Sequence, residues 1–193
     1  MGVRRYTFRI PCSSEIDKYD AAIEYVAREI ADLLVALKNR NLLDNSYVIV
    51  TADHGEQFGE HGTHGHGHTL HALETRIPLL VWGPGVMPGR IDSLLENRDM
   101  LSMILHMASI PVPPDLGLLD VKPGVPTQGR DMIFAELRAN LRVPAEFWSI
   151  ENRQAKLIFN AQSGKASYYD LTTDPLETKS LDSLPGRDSQ LRD

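Results

Sequence analysis

The chain has 193 residues, of which 42% are hydrophobic and 24% charged, and a net charge of −6. It is long enough to bury a core without disulfides or structural metals, and its balance excludes a wholly disordered, collagen-like or coiled-coil protein. No long basic run stands against the acidic balance, so neither sequence-independent nucleic-acid binding nor a polybasic membrane anchor is expected.

Residues 1–13 read as a short irregular segment with Pro11. Arg4 and Arg5 are followed by no apolar stretch, so no signal peptide is expected. The apolar runs fall far short of the roughly 20 residues that span a bilayer. The expectation is a soluble chain, with its compartment left open. Cys12 is the only cysteine, so no intrachain disulfide forms.

Ile16, Tyr19, Ile23, Val26, Ile30, Leu33 and Leu37 recur at alternating spacings of three and four. This predicts a helix with one apolar face, expected to pack on a sheet; the repeat is short for a coiled coil. Ser14, with Asp17 three residues on, predicts a capping box at its start. Asp44-Asn45 marks a turn after its end. Tyr47–Ala52 is a compact apolar run, as expected of a strand buried on both faces, and Ile77–Trp82 is a second one. Residues 97–108 read as a helix, and 111–129, rich in Pro and Gly, as a long surface connection. Met132–Leu137, Lys156–Asn160 and Ser167–Leu171 are short strand candidates. Gly164 offers a turn between the last two, predicting a hairpin.

Six of the seven histidines fall between residues 54 and 71. Asp53 and His54 lie just past the end of the first predicted strand, where ligands bind in open α/β sheets. A carboxylate beside an imidazole is half of a divalent-metal site; the competing reading is a surface ion pair. Gly55 lets the backbone turn away sharply. His64, His66 and His68 alternate with glycine, and in an extended segment they would point the same way. An imidazole there can donate to an anionic oxygen or shuttle a proton. The alternative is a solvated polar loop or an adventitious nickel or zinc binder. For His61, His64 and His71 that alternative is preferred to a catalytic role.

Read together, the motifs resemble the sulfatase branch of the alkaline phosphatase superfamily. The set runs from Tyr19-Asp20-Ala21 through Leu33-Leu34 and Leu42–Ser46 to Val48–Glu56 and Gly59–Gly62. It continues with His66–Leu70, Arg76–Leu80 and Gly83–Gly85, then Lys156-Leu157-Ile158, Tyr169-Asp170-Leu171 and Asp174–Glu177. The resemblance covers about residues 19 to 181 and corresponds to the C-terminal portion of a sulfatase.

The resemblance implies a partial alkaline-phosphatase-like three-layer α/β sandwich with a small antiparallel C-terminal subdomain. Residues 1–15 would be an irregular segment, 16–129 the C-terminal part of the catalytic α/β domain, and 130–193 the antiparallel subdomain and tail. Asp53 and His54 match the family's second pair of metal ligands. His66 matches a substrate-contacting Lys or His, giving it the catalytic role; His68 is assigned to substrate binding with it. The implied cofactor is a divalent metal, calcium first and manganese or zinc as alternatives. The implied partner is a small anionic sulfate or phosphate ester, with no nucleic acid and no membrane segment.

The family's nucleophile arises from a Cys/Ser-x-Pro-x-Arg motif. Cys12 is followed by neither that Pro nor that Arg, so it is expected to be an ordinary small thiol. The expectation is therefore a sulfatase-like hydrolase fragment with little catalysis of its own. A phosphonate or phosphodiester hydrolase or phosphoethanolamine-type transferase is the alternative within the superfamily. A non-catalytic histidine-rich metal-binding module is the alternative outside it.

Overall fold

The computed structural model describes residues 13–125, 127–139 and 143–181. Cys12, most of the expected irregular segment 1–15 and the end of the tail lie outside them. The chain divides into two compact units. One reaches Val48 and includes Trp82–Pro84; the other holds Ile49–Val81 and everything from Gly85 onward.

In the first unit, helix α1 spans Glu15–Asn39. The Ser14 side chain accepts from the Asp17 amide at 3.0 Å, and Asp17 accepts from the Ser14 amide at 2.9 Å. The capping box is thus present and satisfies amides that the first turn leaves free. The hydroxyl of Ser13, then the Ser14 groups, hold the Asp17 carboxyl below its usual range. Arg40 caps the end of the helix, and Leu43–Asn45 forms a single 3-10 turn at the predicted Asp-Asn signal. The expected packing of the apolar face is not realised among the described residues. Ala21 is the helix's one buried residue, and Ile16, Tyr19, Ile23, Val26 and Leu33 are exposed. Beyond the helix, Tyr47 donates from its hydroxyl to the Pro84 carbonyl at 3.0 Å. Its ring lies so close to Gly83 that a Cβ there would stand 2.3 Å away.

Strand β1 spans Val48–Thr51 and pairs with β4, Leu79–Trp82. Both arise where the apolar runs predict them, but neither is buried on both faces: β1 is partly buried, and Leu79, Leu80 and Trp82 are exposed. A continuous apolar run is buried twice only when layers lie on both sides, and a two-stranded sheet does not supply them. Between these strands the histidine segment forms β2 (Gln57–Phe58) and β3 (His64–Gly65), an antiparallel pair, and the short helix α2 (Ala72–Thr75).

Helix α3 spans Asp99–Met107, close to the predicted 97–108. The 111–129 connection is less of a surface loop than expected, because α3 pins it. Ser102 is fully buried, donates to the Leu119 carbonyl at 2.6 Å and accepts from the Val121 amide at 3.1 Å. Buried Asp99 accepts from the amides of Glu96 and Leu119 and from the Arg130 guanidinium. Burial pushes its carboxyl up, but Arg130 and the two amides outweigh that and hold it low.

Strands β5 (Ile133–Leu137), β6 (Phe147–Glu151), β7 (Ala155–Asn160) and β8 (Lys165–Asp170) form one antiparallel sheet in that order. Gly164, at φ +67°, makes the predicted β7–β8 turn. On one face Leu70, Ile158 and Tyr169 form a core with Ala135, Leu137, Phe147 and Leu171; on the other Ala155 and Tyr168 pack with Leu157, Ala166 and Leu181. Leu70 comes from the histidine segment, so this sheet is the floor on which that segment rests. No helix among the described residues is long and apolar enough to cross a membrane.

Candidate functional site

Asp53 and His54 follow β1 directly, because the strand ends at Thr51. The Asp53 side chain is 88% exposed, with Oδ2 3.6 Å from His54 Nε2. His54 Nδ1 lies 2.9 Å from the Gly55 carbonyl. A carbonyl only accepts, so Nδ1 is the donor, and a ring with no second proton would present its lone pair at Nε2. Fixing one ring nitrogen in this way is how proteins prepare the other for a ligand.

Gly55 makes the close approach that the turn needs. Its amide donates to the Glu74 carbonyl at 2.8 Å, and a Cβ on it would stand 1.9 Å from the Leu73 carbonyl oxygen. The next residue, Glu56, faces the Nδ1 of His66, 3.3 Å from each carboxylate oxygen. The rings of His54 and His66 stack with centroids 4.0 Å apart. The two histidines assigned to metal and anion are thus neighbours in space, twelve residues apart in sequence.

The histidines do not all share one side. Gly65 and Gly67 adopt φ +86° and +74°, a left-handed conformation that breaks the extended run required for His64, His66 and His68 to point alike. His68 sits beside Gly65, whose Cβ would lie 3.9 Å from its Nε2. No hydrogen bond, ion pair or ring stacking joins His68 to the His54–His66 pair among the described residues.

His61 and His71 have structural partners. Their rings stack at 3.7 Å, nearly parallel. His61 Nε2 donates to the carbonyls of Leu176 and Glu177 at 3.1 and 3.0 Å, and His71 Nε2 and the Tyr169 hydroxyl share a hydrogen bond of 3.0 Å. Burial, then the charges of His61 and Lys156, push the His71 imidazole down to about 4 from 6.5. The unfolded chain therefore takes up this proton first as pH falls. Stability that is present above 6.5 is lost as pH falls towards about 4. The half-buried ring is partly screened, so the loss is expected to be about 2 kcal/mol. Urea unfolding near pH 7 and pH 4.5 checks this: His71→Gln is expected to show a smaller drop than the unmodified chain.

Three site residues were not legible as such. Glu56 stands in the quoted signature but carries no assignment there. Gln57 and Glu74 are both buried and bond through Gln57 Nε2 at 2.6 Å; a sequence gives no sign that a particular glutamate goes inside. Among the described residues, no group of three or more His, Cys, Asp or Glu side chains gathers to hold a metal.

The sulfatase family model matches residues 4–110. An arylsulfatase of Clostridium perfringens is 26% identical over 171 residues, which is 84% of this chain and 35% of that protein. A choline-sulfatase of Rhizobium meliloti is 26% identical over 175 residues, 86% of this chain and 33% of its own length. This chain spans about a third of the length of these curated relatives. Among solved structures, a 2-O GAG sulfatase superposes with a TM-score of 0.77 at 22% identity, covering 91% of this chain and 41% of its own. That likeness establishes the partial alkaline-phosphatase-like α/β fold.

Proposed function

Because the chain belongs to the sulfatase family, whose model matches over half of it, we propose that Asp53, His54, His66 and His68 form the metal- and anion-binding part of a sulfate-ester hydrolase site. The observation that carries this reading is the stacked His54–His66 pair beside the exposed Asp53 carboxylate. The relatives' names share the sulfate ester and differ in the organic group: aryl, choline and GAG. The substrate class is therefore a sulfate ester, with the organic part left open.

An exposed carboxylate and an imidazole whose Nδ1 is held by a backbone carbonyl fit two positions of a divalent ion's ligand set. Calcium is the family's usual ion, but an imidazole donor suits manganese or zinc better. When bound, such an ion supplies charge that polarises the ester and offsets the sulfate oxygens. Asp53 and His54 hold their donors at the strand end. His66, with Nδ1 donating to Glu56, has Nε2 left to donate to a sulfate oxygen or a leaving oxygen when its ring is protonated. His68, two residues on, is assigned to the anion through its own ring, without a bond to the His54–His66 pair. None of these four side chains is a covalent nucleophile of the formylglycine kind, so they are assigned to binding and proton transfer.

Manganese titration followed by NMR tests the reading. Paramagnetic broadening is expected first at Asp53, His54 and His66, and to vanish in Asp53→Ala. Competition with calcium and zinc then identifies the preferred ion. Broadening that is unchanged in Asp53→Ala but lost when His64, His66 and His68 are replaced together would instead support the histidine-rich module.

A further inference from the structure

The segment carrying His66 lacks regular secondary structure to hold it. The β2–β3 pairing stops at Gly65, and the two glycines flanking His66 both have positive φ. Glycine in that region is conformationally permissive, so the position of the His66 ring has to be fixed by something else. The buried Glu74 is placed to do so.

Its carboxylate Oε2 accepts from the amide of Gly67 at 2.6 Å and from that of His68 at 3.3 Å, while Oε1 accepts from Gln57. Its main-chain carbonyl accepts from the amide of Gly55. The side chain of one residue therefore holds the residue after His66, and its main chain holds the residue after His54. The side-chain donors are all neutral, and no ion pair to Glu74 exists among the described residues. A carboxylate taken out of water and matched only by neutral donors is costly to maintain, and the bonds made in return all go to the segment carrying His54 and His66.

We propose that Glu74 is the positioning residue of this site, setting the His54–His66 stack by holding the chain immediately behind each ring. The inference rests on the functional reading only for what the stack does; the positioning itself is a property of the fold. It follows that Glu74→Gln, which replaces two charged acceptor oxygens with one neutral oxygen for which Gln57 and the Gly67 and His68 amides compete, loosens the hold on Gly67 and His68 while the main-chain bond to Gly55 persists.

NMR on the full chain tests this. In the unmodified protein, a coupling across the hydrogen bond from the Gly67 amide nitrogen to the Glu74 carboxyl carbon is expected; its absence overturns the proposal without any variant. In Glu74→Gln, amide exchange at Gly67 and His68 is expected to speed up by about 10-fold or more, with the His66 ring signals shifted and Gly55 still protected. Asp99→Asn, which weakens the fold elsewhere, is expected to leave His66 where it was. Unchanged Gly67 exchange and His66 signals in Glu74→Gln overturn the proposal. A parallel titration with sodium sulfate and calcium separates the two readings. If the unmodified chain does not respond to sulfate, the sulfate-ester assignment fails, and the exchange data still decide the role of Glu74. If it responds, Glu74→Gln is expected to bind sulfate several-fold more weakly.

Discussion

Gly55→Ala is expected to lower stability by about 3 kcal/mol and to disorganise the stacked histidine pair. The added Cβ would stand 1.9 Å from the Leu73 carbonyl oxygen and 3.0 Å from its carbon. The obstacle is backbone, so no side chain can rotate out of the way. Either α2 or the Asp53–His54 corner has to move, and both movements break the bond from the Gly55 amide to Glu74. The loss therefore falls on the site as well as on stability. Gly89 provides the control, because nothing lies within 4 Å of its Cβ and its φ is not positive. Gly89→Ala is expected to be neutral or to stabilise slightly by restricting the unfolded chain. Urea midpoints with unchanged slopes measure the first effect, and the His54 and His66 ring resonances the second. A Gly55→Ala chain with normal stability and unmoved rings would mean that the close approach is not needed.

The value of Gly55 was half legible. A sequence marks a glycine after Asp-His as a place to turn, but not the carbonyl that a side chain there would strike. The same division runs through the molecule. The alternating spacing and Ser-x-x-Asp pattern of α1 are local, and the helix and its capping box form as read. What covers its apolar face is not local, and the described residues leave it exposed.

Strand β6 was missed for a different reason. Its buried side carries Ser149, and Glu151 pairs with the buried Lys156, while Trp148 is exposed. The polarity of the strand runs against the inside-out rule on which alternation depends. In the site, Asp53 and His54 are adjacent and could be paired by eye. Glu74 and Gln57 meet across 17 residues, and His61 and Glu177 across 116; no spacing rule connects them.

The second large effect is expected at one of those long-range contacts. Lys156→Met is expected to cost about 3–5 kcal/mol near neutral pH, because it leaves buried carboxylate without its counter-charge. Lys156 is 1% exposed, with its ammonium 3.1 Å from Glu177, 3.3 Å from Glu151 and 3.3 Å from the Thr75 hydroxyl. Glu177 is as deeply buried, and its second oxygen accepts from the Ala72 amide at the start of α2. Burial raises the Glu177 carboxyl above its ordinary value and Lys156 draws it back. Without the ammonium the folded-state value rises further. A group raised in this way contributes stability below its unfolded value that is lost as pH rises through the folded one. The deficit of Lys156→Met relative to the unmodified chain is therefore expected to be largest near neutral pH and to shrink towards about pH 4. Most of the His71 contribution is common to both chains, because burial and His61 come before Lys156 among its causes. Adding Glu177→Gln to Lys156→Met is expected to recover part of the loss near neutral pH, since it removes the stranded charge. An equal deficit at both pH values, with no recovery in the double variant, would place the cost in lost packing of the lysine stem instead. The site depends on the outcome because the residue that holds Lys156 also presents its carbonyl to His61 and caps α2. Through those two bonds the buried charge couples the C-terminal segment to the chain that carries Glu74, so weakening it is expected to loosen the histidine segment from behind.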